Sequence, residues 1–430
     1  MKYRERILEQ KIVKLFQAFP VVVLNGARQA GKSTILGHLF GASMKSVVFD
    51  PVIDVGNARA DPELFLSLNP PPVILDEVQY CPDLLPAIKR RVDRSPGKNG
   101  LYLLTGSQQF SVIRAIGESL AGRAALVTLA PFSLAEIAEE QGVERGGFIA
   151  AIMERGSIAG RAGEIASGIA GDAAPLPGLA AAIFRGGYPR TLEMADEAAI
   201  AWFEGYLRTY VERDIRTLGD VGDLQAFSRF VRLAAQLTAQ EVNLSHLGRE
   251  IGIDPKTARA WLAILKASYQ WAELAAYSGN VTKRISEKPK GHFTDTGFAC
   301  YLASIFSRES LSSHPLFGSL FESAVVCEAL KQLSALPAMP AAYHWRSHGG
   351  AEVDMVVERD GKFWLMEAKL AARPGPRDAA GMRAFCETYP KNRIAGRIIV
   401  SGGEECFALD GDTIVVPFAM LGKVKGEARG

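Results

Sequence analysis

The octapeptide Gly26-Ala27-Arg28-Gln29-Ala30-Gly31-Lys32-Ser33 constrains this chain more than any other stretch. Its spacing is G-x-x-x-x-G-K-[ST], and it directly follows the apolar, β-branched run Val21–Leu24. A buried strand running into a glycine-rich loop and then a helix is the context in which this pattern cradles phosphate. The glycines let the backbone bend so that its N–H groups face phosphate oxygens, and the following helix adds the positive end of its dipole. The pattern therefore predicts that residues 26–33, with Thr34 beside them, hold ATP. Lys32 is placed to reach the β- and γ-phosphates and the Ser33 hydroxyl to ligate Mg²⁺. Val47–Phe49, Val73–Leu75, Leu101–Leu104 and Ala125–Leu129 are similar apolar runs, mostly separated by segments of helical length. Strands alternating with helices imply right-handed crossovers and a parallel sheet covered on both faces. This first α/β domain is expected to occupy residues 1–140.

A second signature agrees with the first. In "PPVILDEVQ" an apolar strand ends in Asp76-Glu77. Asp76 is expected to orient the magnesium through its water shell, and Glu77 to polarise the attacking water, which marks hydrolysis rather than binding alone. Leu101–Leu104 runs into Thr105-Gly106-Ser107, so either Thr105 or Ser107 could contact the γ-phosphate or the water. Arg114 and Arg123 follow. Either could reach the nucleotide of a neighbouring subunit as an arginine finger, which requires a homo-oligomer; a solvated or salt-bridged arginine is the competing reading.

A chain of 430 residues has room for two or three domains. Its 49 Lys+Arg against 47 Asp+Glu give no whole-chain case for nucleic-acid binding, so that case must rest on local patches. Cys81, Cys300, Cys327, Cys386 and Cys406 are scattered, form no CxxC pair, and suit reduced thiols in a cytoplasmic protein. The charged start "MKYRERILEQKIV" does not read as a secretory leader, and no apolar run approaches the ~20 residues that cross a bilayer, so no membrane association is expected. Residues 141–180 are Gly- and Ala-rich and read as a flexible insertion or a poorly packed helical pair. A helical and winged-helix region is expected at 181–310. There, Ser245 is read as capping a short helix, Gly252 as a turn, and Asp254 as capping a second helix with Pro255 at its first position. Ala258, Leu262 and Leu265 give that helix its apolar stripe, completing a helix-turn-helix. A hairpin wing turning at Gly279-Asn280 would follow, with Lys283, Arg284, Lys288 and Lys290 on it. Lys256, Arg259, Lys283 and Arg284 are the candidate contacts to DNA phosphates.

Residues 311–430 form the third expected domain. Asp360-Gly361 between two strand-like runs is a strong two-residue hairpin signal. With that turn, residue 359 pairs with 362, Asp354 faces Glu367, and Glu352 faces Lys369. Opposed carboxylates repel in a bare sheet, and a second Mg²⁺ or a Mn²⁺ between them would remove the conflict. Glu322 lies on one helical stripe with Val326, Ala329 and Leu330 and is expected to join as a third acid. This arrangement resembles the PD-(D/E)XK nuclease core. By that resemblance Asp354 and Glu367 bind metal, Lys369 positions or activates water, and Glu322 completes the site; a structural salt-bridge cluster on the same fold is the alternative.

The stretches "LNGARQAGKST", "VILDEVQ", "LLTGSQQF", "SLAGRA", "TYVERDIR", "KPKGHFTDTGFACYL", "GSLFESAVVCEALK" and "YHWRSHGGAEVDMVVERDGKFWLMEAKL" together resemble prokaryotic AAA-type ATPases with a C-terminal nuclease-like domain of unknown function. The resemblance covers most of the chain except the Ala/Gly insertion. It implies ATP and Mg²⁺ binding, a middle winged helix, and a C-terminal α/β restriction-endonuclease-like domain similar to archaeal resolvases. Two functions follow as expectations: an ATPase whose nucleotide state is coupled to DNA binding or processing, or a nucleotide-dependent signalling or scaffold protein whose inactive terminal domain binds a protein partner.

Overall fold

The computed structural model describes residues 3–49, 55–107, 119–138, 146–169, 178–209, 221–280 and 287–422. The N-terminal sheet has five strands: β1 (Val21–Asn25), β2 (Lys45–Val48), β3 (Val73–Asp76), β4 (Tyr102–Gly106) and β5 (Ala124–Thr128). Their order is β2-β3-β4-β1-β5 and every pairing is parallel, as the alternation of strands and helices predicts. Successive residues of a strand point to opposite faces. Thus Val21 and Val23 pack with Leu75, Tyr102 and Leu104 against the helix Leu84–Asp93. Val22 and Leu24 pack with Ile74 and Leu103 against the helices Glu9–Ala18 and Lys32–Phe40. Burial on both faces explains why the central strands β1, β3 and β4 read as continuous apolar runs, whereas the edge strands β2 and β5 are partly exposed.

The rest of the chain is organised around one nine-stranded sheet. Three of its strands come from the middle of the sequence: β6 (Gln240–Glu241), β7 (Trp271–Ala276) and β8 (Lys290–Phe293). Six come from the end: β9 (Ala341–Arg346), β10 (Glu352–Arg359), β11 (Lys362–Lys369), β12 (Ile394–Ser401), β13 (Phe407–Asp410) and β14 (Thr413–Pro417). The order is β13-β14-β12-β11-β10-β9-β7-β8-β6, so one sheet spans the boundary drawn near residue 310. The join is the parallel pairing of Ala275 and Ala276 in β7 with Tyr343 and His344 in β9.

Four sequence expectations change here. First, the Ala/Gly-rich stretch does contain two helices, Gly147–Arg155 and Ala162–Ile169, but they are not poorly packed. Phe148, Ile149, Ile152 and Ile158 are buried, and a Cβ on Gly396 would lie 2.5 Å from the Ile158 side chain. The close approach is allowed by Gly396 in the large sheet, since a Cβ on Gly156, Gly160, Gly163 or Gly168 would meet nothing within 4 Å. Second, the cap of the helix Leu244–Ile251 is Asn243, whose side chain accepts from His246 N, rather than Ser245. The remainder of the helix-turn-helix matches: Gly252 is left-handed at φ +82°, and Asp254 accepts from Lys256 N at 2.8 Å and Thr257 N at 3.0 Å. Third, a wing turning at Gly279-Asn280 would set Leu274 opposite Ile285. It lies opposite Lys290 instead, and along its other edge β7 pairs with β9. Lys283 and Arg284 lie outside the described residues.

Fourth, the terminal hairpin keeps its predicted register only near the turn. Arg359↔Lys362 through Met355↔Met366 pair as expected, with Asp360 at φ +51° and Gly361 at +73°. The register of β10 on β9 then shifts between Val353 and Val356. Both valines pack with Met382 and Phe385 of the helix Ala380–Thr388, so one residue is inserted between them. Asp354 leaves the plain ladder, and Glu352 pairs with Arg346 of β9 rather than facing Lys369.

Candidate functional site

Parallel strands end on one edge of their sheet, and in the N-terminal sheet that edge carries all three nucleotide signatures. β1 ends at Asn25 just before the loop, β3 ends at Asp76, and β4 ends at Gly106 beside Thr105 and Ser107. Asn25 pairs with Gly106. Gly26 sits at φ +143°, and a Cβ there would lie 2.1 Å from Leu129 O, so this position requires glycine. Gln29 and Gly31 are also at positive φ. Lys32 is buried, and its ammonium donates to Gly26 O at 3.1 Å and Ala27 O at 3.0 Å, folded back onto the loop. Ser33 and Thr34 are exposed at the start of the helix.

Both candidates at the end of β4 take part. The Thr105 hydroxyl donates to Asp76 Oδ1 and accepts from Glu77 N at 2.9 Å. The Ser107 hydroxyl donates to Glu77 Oε2 at 3.1 Å. Gln79, quoted in the motif but given no role, donates from Nε2 to Glu77 Oε2 and Ser107 Oγ. Glu77 itself is left-handed at φ +59°, which turns the chain off β3. Arg123 ion-pairs with Asp93 at 2.5 Å within the same chain, and Arg114 lies outside the described residues.

Sequence reasoning also missed Arg6, hidden in a charged N-terminal stretch. It is 4% exposed, and its guanidinium donates to Ala30 O of the loop at 2.9 Å, to Ala130 O at 2.7 Å and to Glu136 at 2.9 Å. It also lies 4.5 Å from the centre of the Phe132 ring. Further along, Glu328 accepts from Leu134 N at 3.0 Å and from Gln332, whose Oε1 accepts from Ile149 N at 2.8 Å. This buried polar seam joins the nucleotide-loop end of the first domain to the long helix Phe317–Ala335.

That helix carries Glu322 to a second cluster, in a cleft of about 700 Å³ in the large sheet. The four residues expected there, Glu322, Asp354, Glu367 and Lys369, all line it, together with Glu352. Lys369 bonds Glu367 at 2.6 Å, and Ala368 N donates to Asp354 Oδ2 at 2.9 Å. The residue that sequence reasoning misplaced is Lys290. Expected on a basic hairpin wing, it is 5% exposed and contacts Glu322 at 2.5 Å, Glu352 at 2.6 Å and Asp354 at 3.2 Å. Burial alone would depress its ammonium, but the attraction of Asp354, Glu322 and Glu352 outweighs it and raises the pKa above the usual lysine value. Burial, with Asp354 repelling, pushes the Glu322 carboxyl up to about 8. Burial and Asp354 do the same to Glu367, also to about 8.

The second divalent metal expected at Glu322, Asp354 and Glu367 does not fit this arrangement. Lys290 pairs with Asp354 at 3.2 Å and Lys369 with Glu367 at 2.6 Å, so ammonium groups already serve the acids between which the metal was expected. Among the described residues no group of three or more His, Cys, Asp or Glu side chains is placed to hold a metal ion. The oxygen donors of the N-terminal edge, Ser33 and Asp76, do suit Mg²⁺ alongside phosphate. Among the described residues no helix is long and apolar enough to cross a membrane. All five cysteines are free thiols.

An all-parallel sheet of this order, with the phosphate loop after β1, Asp-Glu ending β3 and a hydroxyl ending β4, defines an AAA-type P-loop ATPase fold. Residues 18–138 match the family described as "AAA domain". Residues 177–309 and 317–421 match two domains of unknown function, DUF8612 and DUF4143. Two uncharacterized proteins, Rv2008c of Mycobacterium tuberculosis and Mb2031c of Mycobacterium bovis, are each 31% identical over 400 residues, covering 93% of this chain and 80% of theirs. The chain belongs to the AAA-type family that these mycobacterial proteins represent. Among solved structures it is similar to the Walker-type ATPase PABY2304 of Pyrococcus abyssi, at 17% identity and TM-score 0.42, over 68% of this chain and 94% of that one. It is also similar to the Holliday junction branch migration motor RuvB of Thermotoga maritima, at 15% identity and TM-score 0.29, over 63% of this chain and 89% of that one.

Proposed function

We propose that the protein binds ATP with Mg²⁺ and hydrolyses it, and that its nucleotide state is coupled to DNA binding. The observation that carries the ATPase reading is the shared edge of β1, β3 and β4, where Asp76, Glu77 and Thr105 are bonded together and the loop holding Lys32 begins. Residues 26–33 would receive the phosphates, and Lys32 would leave the Gly26 and Ala27 carbonyls for them. Ser33 and Asp76 would hold Mg²⁺, which supplies charge neutralisation on the phosphates. Glu77, oriented by Ser107 and Gln79, would accept a proton from the attacking water. Lys32→Ala should abolish tight ATP binding. Glu77→Gln should bind ATP while its turnover falls about 100-fold or more; wild-type turnover in that variant would remove Glu77 from the role.

The DNA half of the proposal rests on Lys256 and Arg259, both exposed in the first turns of the helix Pro255–Ala267. A capped second helix of a helix-turn-helix presenting cations there suits phosphate contact, and supports a winged-helix reading of this region. The hairpin β10–β11 and the helix Phe317–Ala335 support a restriction-endonuclease-like reading of the C-terminal region. Nucleic-acid cleavage is not part of the proposal, because the carboxylate cluster is filled by Lys290. That same filling favours the second reading, in which the terminal domain binds a protein partner and cuts nothing.

A further inference from the structure

We infer that Lys290 is the resident cation of the C-terminal carboxylate cluster, excluding a divalent metal from it and clasping the middle of the chain to its end. The ammonium reaches three acids from three positions, Glu322 on the helix Phe317–Ala335 and Glu352 and Asp354 on β10, at 2.5, 2.6 and 3.2 Å. A divalent cation coordinated by the same oxygens would meet a positive charge at contact distance in a buried site, where repulsion is poorly screened. The two cations are therefore alternatives. Lys290 arrives from β8, whereas all the acids belong to the C-terminal segment, so occupancy depends on where β8 lies.

β8 is fixed in place by neighbouring bonds. His292 and Ser323 share a hydrogen bond of 3.1 Å, Phe293 N donates to Thr238 Oγ1 at 2.8 Å, and the Thr238 and Ser323 hydroxyls meet at 2.7 Å. These contacts seat the strand on the same helix that bears Glu322. Two acid oxygens here have no hydrogen-bond partner, Glu322 Oε1 and Glu367 Oε2; the first is in ion-pair contact with the Lys290 ammonium at 2.5 Å, and the second is left over. It belongs to a residue that is 6% exposed, and the ammonium makes no bond to it. With Lys290 withdrawn, Glu322, Asp354 and Glu367 would offer hard oxygen donors, the ligand class of Mg²⁺ and Mn²⁺. The cluster is thus a clasp in the described state, with its acids not placed to hold a metal, and loss of the Lys290 ammonium is what would free them to close on a divalent cation.

The test is independent of the ATPase reading, because it uses nucleotide-free full-length protein and Mn²⁺ alone, followed by electron paramagnetic resonance of the free ion. Wild type and Asp354→Asn should bind Mn²⁺ equally weakly. Lys290→Met should gain one site, roughly tenfold or more tighter, and Lys290→Met/Asp354→Asn should lose it. Lys290→Arg should keep the metal out. A Mn²⁺ site in wild type that Asp354→Asn removes would overturn the inference, as would a Lys290→Met protein with native circular dichroism that gains no site. If Lys290→Met does not fold, the comparison of wild type with Asp354→Asn still decides: equal weak binding supports the clasp, and loss of a site refutes it.

Discussion

Replacing Arg6 by methionine tests whether the nucleotide loop is held from behind. Methionine keeps much of the apolar stem but removes every donor of the guanidinium. Three acceptors then lose their partner: Ala30 O, Ala130 O and Glu136. Glu136 would stay buried, with Ile7 N at 2.8 Å and Ser133 N at 2.7 Å its remaining donors among the described residues. The side chains of the pair are 4% and 3% exposed, so solvent screens little of the loss. Breaking such a pair from one side costs about 3–5 kcal/mol. At about 1.4 kcal/mol per factor of ten, local opening should become roughly two to three and a half powers of ten more frequent. The five tryptophans all lie at or beyond Trp202, so tryptophan fluorescence would not report on this region. Hydrogen–deuterium exchange of the amides in β1 and β4 does. Because Ala30 is part of the phosphate loop, ATP affinity should fall as well, while Glu77→Gln leaves β1 protection intact. Arg6→Met/Glu136→Gln should lose less protection than the two single losses added together, since neither buried charge is then left alone. A drop in β1 protection of less than about tenfold in Arg6→Met would refute the reasoning, because the range cited begins two powers of ten down.

Gly26→Ala should abolish ATP binding by calorimetry, since its Cβ would fall 2.1 Å from Leu129 O at a backbone angle alanine rarely adopts. If Lys256 and Arg259 touch DNA phosphates, affinity should fall steeply with salt, and removing either charge should reduce the log–log slope by about one. His292 supplies a pH test. Burial, helped by Lys290 and His344, lowers its pKa to about 3, against 6.5 for the free side chain. The unfolded chain then binds the proton more readily, so stability is full above 6.5 and falls as pH drops from 6.5 toward 3. From pH 7 to pH 5 this group alone should cost about 2 kcal/mol, read from exchange protection in β8 after correction for intrinsic rates, and His292→Asn should flatten that dependence.

The sequence makes legible what closes within a few residues. The phosphate loop, Asp76-Glu77, the Asp254 cap and the Asp360-Gly361 turn each fix a local geometry, and the structure has all four. The acids of the terminal cluster were legible in part: helix stripe and strand period place Glu322 and Glu367, whereas Asp354 sits at a bulge that plain strand alternation does not contain. Partners far apart in the chain were not. Arg6 meets Glu136 across 130 residues, Leu134 meets Glu328 across 194, and Lys290 meets Asp354 across 64. Nothing in the periodicity around Arg6 or Lys290 distinguishes a buried cation from a solvated one. Asp295 shows the same limit. It stood in a quoted motif with no role, yet it caps the helix Thr296–Leu302 through Phe298 N at 2.9 Å and holds Gly187 N at 2.8 Å. A Cβ on Gly186 would lie 2.3 Å from its Oδ1, so Gly186 and Gly187 are held against Asp295, the latter across 108 residues. The misreading of the carboxylate cluster has the same origin. Opposed acids state that a cation is needed, and electrostatics alone accepts a metal or an ammonium; the choice falls to whichever strand the fold lays beside them, and here that strand is β8.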